Sequence, residues 1–172
     1  QSDKYGSYGT PMALMLLPFW TDGCIGSMEG LFFEASGTTP YHFVAASAVS
    51  ENASDPVRQV RYDKNNLDLG VEYLRSLGVR YYYAFTPDLV GQALQRTDLV
   101  EVATSGPWHV FEVQDWSLVT ALATEPLVVE GRGGDQRERW LEVGLSSFQH
   151  PDEWDGLLVA DCLLYTSPSP RD

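Results

Sequence analysis

The sequence predicts an α/β domain: one mixed β-sheet with helices on both faces, in three layers. Three observations carry this expectation. A helical apolar period gives way to an alternating one near residue 79 and a helical one returns at 86. Two short alternating runs then follow in hairpin order, which adds antiparallel pairing. The triplet Tyr81-Tyr82-Tyr83 must also place a ring on each side of its strand, so both faces call for cover. We assign 11–161 to this domain, 1–10 to a polar linker and 162–172 to a disordered, non-native tail.

In chain order, Met12 to Phe19 is an apolar run ended by Pro18 and reads as a buried strand that delivers the loop after it. Tyr41 to Val49 suits a short helix, broken by the polar cluster from Ser50 to Pro56. Leu67, Val71 and Leu74 recur at helical spacing behind Asn65 and Asn66, either of which can cap. Gly78 stands where a left-handed residue closes such a helix. Val79 to Phe85 alternates as a strand, and Thr86-Pro87 opens a second helix with Leu89, Val90, Ala93 and Leu94 on its apolar side. Leu99 to Thr104 and Trp108 to Val113 form a hairpin with a loop of three or four residues. Pro126 to Glu130 adds a strand, and Trp140, Leu141, Gly144, Leu145 and Phe148 mark an amphipathic helix before Pro151.

The 172 residues and 44% hydrophobic content suit one domain with a real core. With 24 acids against 11 bases, net charge −13, the chain repels phosphate backbones, so no nucleic-acid partner is expected. Two cysteines make neither a disulfide framework nor a zinc site. No apolar run is long enough to span a bilayer, and the start has no signal-peptide architecture, so it reads as a cut inside a longer protein. The two Ser-Pro pairs near the end cannot continue a helix or strand, and the string resembles translated adapter read-through. The native chain is therefore expected to continue differently after about Asp161.

Chemistry concentrates between Leu16 and Phe43, where acids and a histidine lie among aromatics and glycines. Aromatic rings cover the C–H face of a sugar while carboxylates accept from its hydroxyls. On this basis Glu29 and Glu34 are the candidate catalytic carboxylates, and Trp20, Asp22, Phe33 and His42 the candidate substrate-binding residues. Burial beside aromatics would raise a carboxyl toward a useful range. The competing reading makes Asp22 a turn residue and Glu29 part of a helix first turn capped by Ser27. Three acids with His42 have the donor types for a divalent cation, but no metal site is assigned, and no cofactor is identified. No nucleophile elbow, phosphate loop or His-Glu-x-x-His motif is present.

The segments Leu17-Pro-Phe-Trp-Thr-Asp-Gly23, Ser27-Met-Glu-Gly-Leu-Phe-Phe-Glu-Ala-Ser-Gly-Thr-Thr-Pro-Tyr-His-Phe43 and Tyr73-Leu-Arg-Ser-Leu-Gly-Val-Arg-Tyr-Tyr-Tyr83 carry a resemblance. Ser105-Gly-Pro-Trp-His-Val-Phe-Glu112, Glu125-Pro-Leu-Val-Val129 and Asp152-Glu-Trp-Asp155 extend it. Together they resemble large actinobacterial polytopic membrane proteins with a 6-pyruvoyl-tetrahydropterin-synthase-related domain, which are similar to C-superfamily glycosyltransferases. The resemblance covers nearly all of 11–161. It implies an extracytoplasmic module, at the outer face of the cell membrane, of a protein acting on lipid-linked sugars in cell-envelope glycan synthesis. The partners it implies are the transmembrane part of the same chain and a polyprenyl-linked sugar or envelope glycan. A non-catalytic glycan-binding or assembly module is the alternative.

Overall fold

A computed structural model describes residues 11–28, 39–129, 136–150, 153 and 156–160. The expectations for 1–10, for Glu29, Phe33 and Glu34, and for the tail 162–172 fall outside these residues. The fold is α/β, and both antiparallel and parallel strand pairing occur, carried by two separate sheets.

Helix α3 (Leu67–Ser76) is the element the others pack around, and local chemistry fixes both of its ends. The Asn66 side chain accepts from the Leu69 N–H at 3.3 Å, satisfying one of the donors that a helix start leaves open. At the other end Gly78 has φ +67°. The N–H groups of Gly78 and Val79 donate back to the carbonyls of Arg75 (3.0 Å) and Leu74 (2.8 Å), the Schellman pattern. A Cβ on Gly78 would lie 3.2 Å from Leu118 Cδ2 and 3.3 Å from the Ser117 carbonyl oxygen. Replacing Gly78 with valine is therefore expected to cost about 1–2 kcal/mol, because a β-branched residue is strained at positive φ. A lowered urea midpoint at constant slope is the expected readout, and an unchanged midpoint would remove the cap.

Strands β1 (Tyr81–Ala84), β2 (Leu99–Ser105) and β3 (Trp108–Val113) form an antiparallel sheet in the order β1-β3-β2. The hairpin loop is shorter than expected. Ser105 pairs with Trp108, leaving only Gly106-Pro107 in the turn. Gly106 has φ +57° and proline holds φ negative, the combination a type II′ turn needs. A bulge between Glu101 and Ala103 interrupts the outer strand. Helix α4 (Pro87–Leu94) buries Leu89, Val90 and Ala93. Leu94, expected on the same side, is 56% exposed because it is the last residue of the helix and projects past the core.

The core has two parts, and α3 separates them. Leu67, Val71 and Leu74 face Tyr82, Phe111 and Val113 of the sheet. Tyr73 points to the other side, against α2 (Thr39–Ala48) and α5 (Gln136–Gln149), where the Phe148 ring stacks on it at 4.7 Å. The end of α2 is tied to its neighbours through its own open carbonyls. Ser47 and Ala48 accept from the N–H groups of Asn65 (3.2 Å) and Asn66 (2.9 Å), and Val49 accepts from the Tyr82 hydroxyl at 2.9 Å. Strands β4 (Leu127–Val129) and β5 (Leu158–Ala160) pair in parallel with α5 between them in sequence, the crossover such pairing requires.

The run Met12 to Phe19 is not a strand. It forms a 3-10 helix over Pro11–Leu16 and a short helix α1 (Leu17–Trp20). Every side chain from Met12 to Leu17 is unbranched at Cβ, which favours helix. Pro18 lies in the first turn of α1, where its missing N–H costs nothing.

Candidate functional site

Two cavities differ in chemistry. One, of about 540 Å³, lies between the start of α3 and the end of α4 and is lined mostly by polar side chains, most of them engaged in bonds of the fold. Asn65 donates to Asp88 at 2.6 Å and accepts from Gln92 at 3.2 Å, while Arg96 holds Asp98 through two bonds of 2.8 Å and also pairs with Asp68. Its groups serve the fold. The Arg96 guanidinium beside Asp98 keeps that carboxyl below the ordinary range for aspartate.

The second cavity, of about 590 Å³, is a groove with largely apolar walls. One wall is α2 with the residue that follows it, through His42, Ala45 and Val49. The facing wall is the end of α3 with β1, through Leu77 and the three tyrosines. Trp116 and Leu118, from the loop after β3, border it, and Leu14, Leu17 and 24–28 close it from the N-terminal side. A groove of this size and lining takes most of an elongated, mainly apolar ligand.

One cation stands among the described lining residues. The Arg80 guanidinium lies over the ring of Tyr81 at 4.9 Å and that of Trp116 at 5.3 Å. It donates from Nε to Glu112 Oε1 at 2.9 Å, and its Nη2 lies 2.8 Å from the same oxygen. The aromatic pair holds the guanidinium plane in place, and an ion pair this exposed contributes at most about 1 kcal/mol, so an incoming phosphate can compete for the cation.

His42, in the first turn of α2, lines the groove, and its ring meets that of Phe43 edge-on at 5.0 Å. Burial lowers its pKa, so at neutral pH it presents an uncharged imidazole. Trp20 and Asp22 are exposed and do not line the groove. Asp22 has φ +50° beside Gly23 at φ +80°, which is the turn geometry of the competing reading for that residue. Among the described residues no group of three or more His, Cys, Asp or Glu side chains is placed to hold a metal ion.

Reasoning from sequence missed Arg80, the Tyr81–Tyr83 wall and Trp116. The tyrosine triplet carries the expectation of cover on both faces, and Tyr82 is buried. Tyr81 and Tyr83, however, are only half-buried, and all three tyrosines line the groove. The available signal was Arg80 inside an aromatic run, a cation with ring faces on either side of it in sequence. No protein family, curated protein or solved structure matches this chain.

Proposed function

We propose that this domain is the extracytoplasmic module of a membrane glycosyltransferase-like protein acting on lipid-linked sugars in cell-envelope glycan synthesis, with the groove as the seat of the lipid carrier. The observation that supports it best is the combination of an apolar groove with a single guanidinium held between Tyr81 and Trp116. A polyprenyl phosphate has the matching parts: an apolar chain for the walls and a phosphate for Arg80. Glu29 and Glu34 are the carboxylates this reading assigns to glycosyl transfer, as base and as charge stabiliser. The transmembrane part of the same chain is the partner.

A non-catalytic binding or assembly role has one observation in its favour. The described lining of the groove offers apolar walls and one guanidinium, features that hold a ligand without requiring chemistry.

Farnesyl phosphate is the test ligand, with farnesol as its uncharged counterpart. Saturable binding is expected for the phosphate, followed by tryptophan fluorescence, and Arg80→Leu should weaken it by about tenfold or more while leaving farnesol binding unchanged. Absence of saturable binding would end the lipid-carrier reading. Binding that survives Glu29→Gln and Glu34→Gln, with transfer by the membrane-bound protein also intact, would favour the non-catalytic role.

A further inference from the structure

We propose that the groove docks on a lipid bilayer through two charge-free apolar tips, so that a lipid chain enters it without crossing water. The first tip is the helical segment 11–21, where Phe19 is 79% and Trp20 59% exposed. The second is the loop 116–124, where Leu118 is 78% and Val119 86% exposed. Each tip contributes lining residues to the same groove, Leu14 and Leu17 from one and Trp116 and Leu118 from the other. Both tips therefore adjoin the groove.

Charge decides which occupant fits. In a chain where 20% of residues are charged, neither segment holds an Asp, Glu, Lys or Arg. A stable dimer needs about 800 Å² of continuous face from each copy. Two tips parted by an open groove do not form such a face. Exposed Trp, Phe and Leu on segments whose nearest acids in sequence, Asp22, Asp115 and Glu125, stand outside their ends are the residues that settle at the bilayer interface. The net charge of −13 excludes docking by attraction to anionic headgroups, so apolar insertion must supply the affinity.

The inference deepens the lipid-carrier reading, and its test uses neither prenyl phosphate nor sugar, so the two can fail separately. The chain is sedimented with sucrose-loaded vesicles of phosphatidylcholine and, in parallel, of phosphatidylglycerol. Binding to the neutral vesicles is expected, with weaker binding to the anionic ones at low salt. Phe19→Asp and Val119→Asp should each lower the partition coefficient by about tenfold or more. Both positions are exposed, and far-UV circular dichroism checks that the variants fold; Leu122→Asp, at a residue 51% exposed, provides a second substitution in the loop. The proposal is overturned by failure to bind neutral vesicles, by binding confined to anionic vesicles, by undiminished binding of a folded variant carrying both Phe19→Asp and Val119→Asp, or by self-association in place of vesicle binding.

Discussion

Replacing Phe111 with alanine is expected to cost about 3–5 kcal/mol, enough to unfold much of the population in a domain of ordinary stability. Phe111 is fully buried at the middle of the central strand β3, opposite Tyr82 on one side and Glu101 on the other. Its ring lies 6.3 Å from that of Tyr82, and α3 closes over the same cluster through Val71 and Leu74. Residues of α3, α4, β1, β2 and β3 all belong to the cluster from which truncation would remove this ring. Only partial collapse is open to it, because the strand is hydrogen-bonded along both edges. Urea unfolding gives the comparison: Phe111→Leu should lose roughly 1–2 kcal/mol, and a loss below about 1.5 kcal/mol for the alanine variant would show that the cluster is loosely packed.

The parts of this fold that could be read from sequence are those fixed by neighbouring residues. Asn66 and Gly78 close α3 through bonds to residues within five positions, so cap chemistry alone located both ends. The hairpin was legible for the same reason, although its length was not, since only pairing shows that Ser105 belongs to the strand. The failures are where distance or composition decides. Strand β5 pairs with β4 across a whole helix, and no local pattern specifies that partner. Met12 to Leu17 is apolar throughout and has no period, so only the absence of β-branching argued for the helix that forms.

The candidate site divides in the same way. His42 was found because it lies in a stretch rich in functional side chains. The walls opposite it come from β1 and from a loop over seventy residues further on, and only the fold brings Trp116 to the groove. Trp20 and Asp22 show the converse. They are close in sequence to groove-lining residues, yet the turn at Asp22 and Gly23 leaves them in solvent.

That groove depends on how closely α2 and α3 approach, and Gly70 sets the approach. It lies within α3, a place where alanine ordinarily stabilises a helix by about 1 kcal/mol. Here an added Cβ would stand 2.6 Å from Val49 Cγ1 and 3.5 Å from the backbone of Ala48. The backbone tolerates that distance and the valine does not, so the sign of the substitution is decided by Val49. Gly70→Val is expected to cost about 3 kcal/mol, the upper end of what overpacking costs, because its branched side chain and that of Val49, just past the end of α2, would claim one space. In a Val49→Ala background the methyl groups that clash are gone, and the same substitution should cost less than about 1 kcal/mol, giving a coupling of roughly 2 kcal/mol in a double-mutant cycle. Val49 also lines the groove, so the compensated variant should regain its stability while binding of farnesyl phosphate changes with the altered wall. Additive costs in the cycle would mean that α2 and α3 part to admit the side chain, and a groove built between such yielding helices would not keep the shape on which selective binding of a lipid carrier depends.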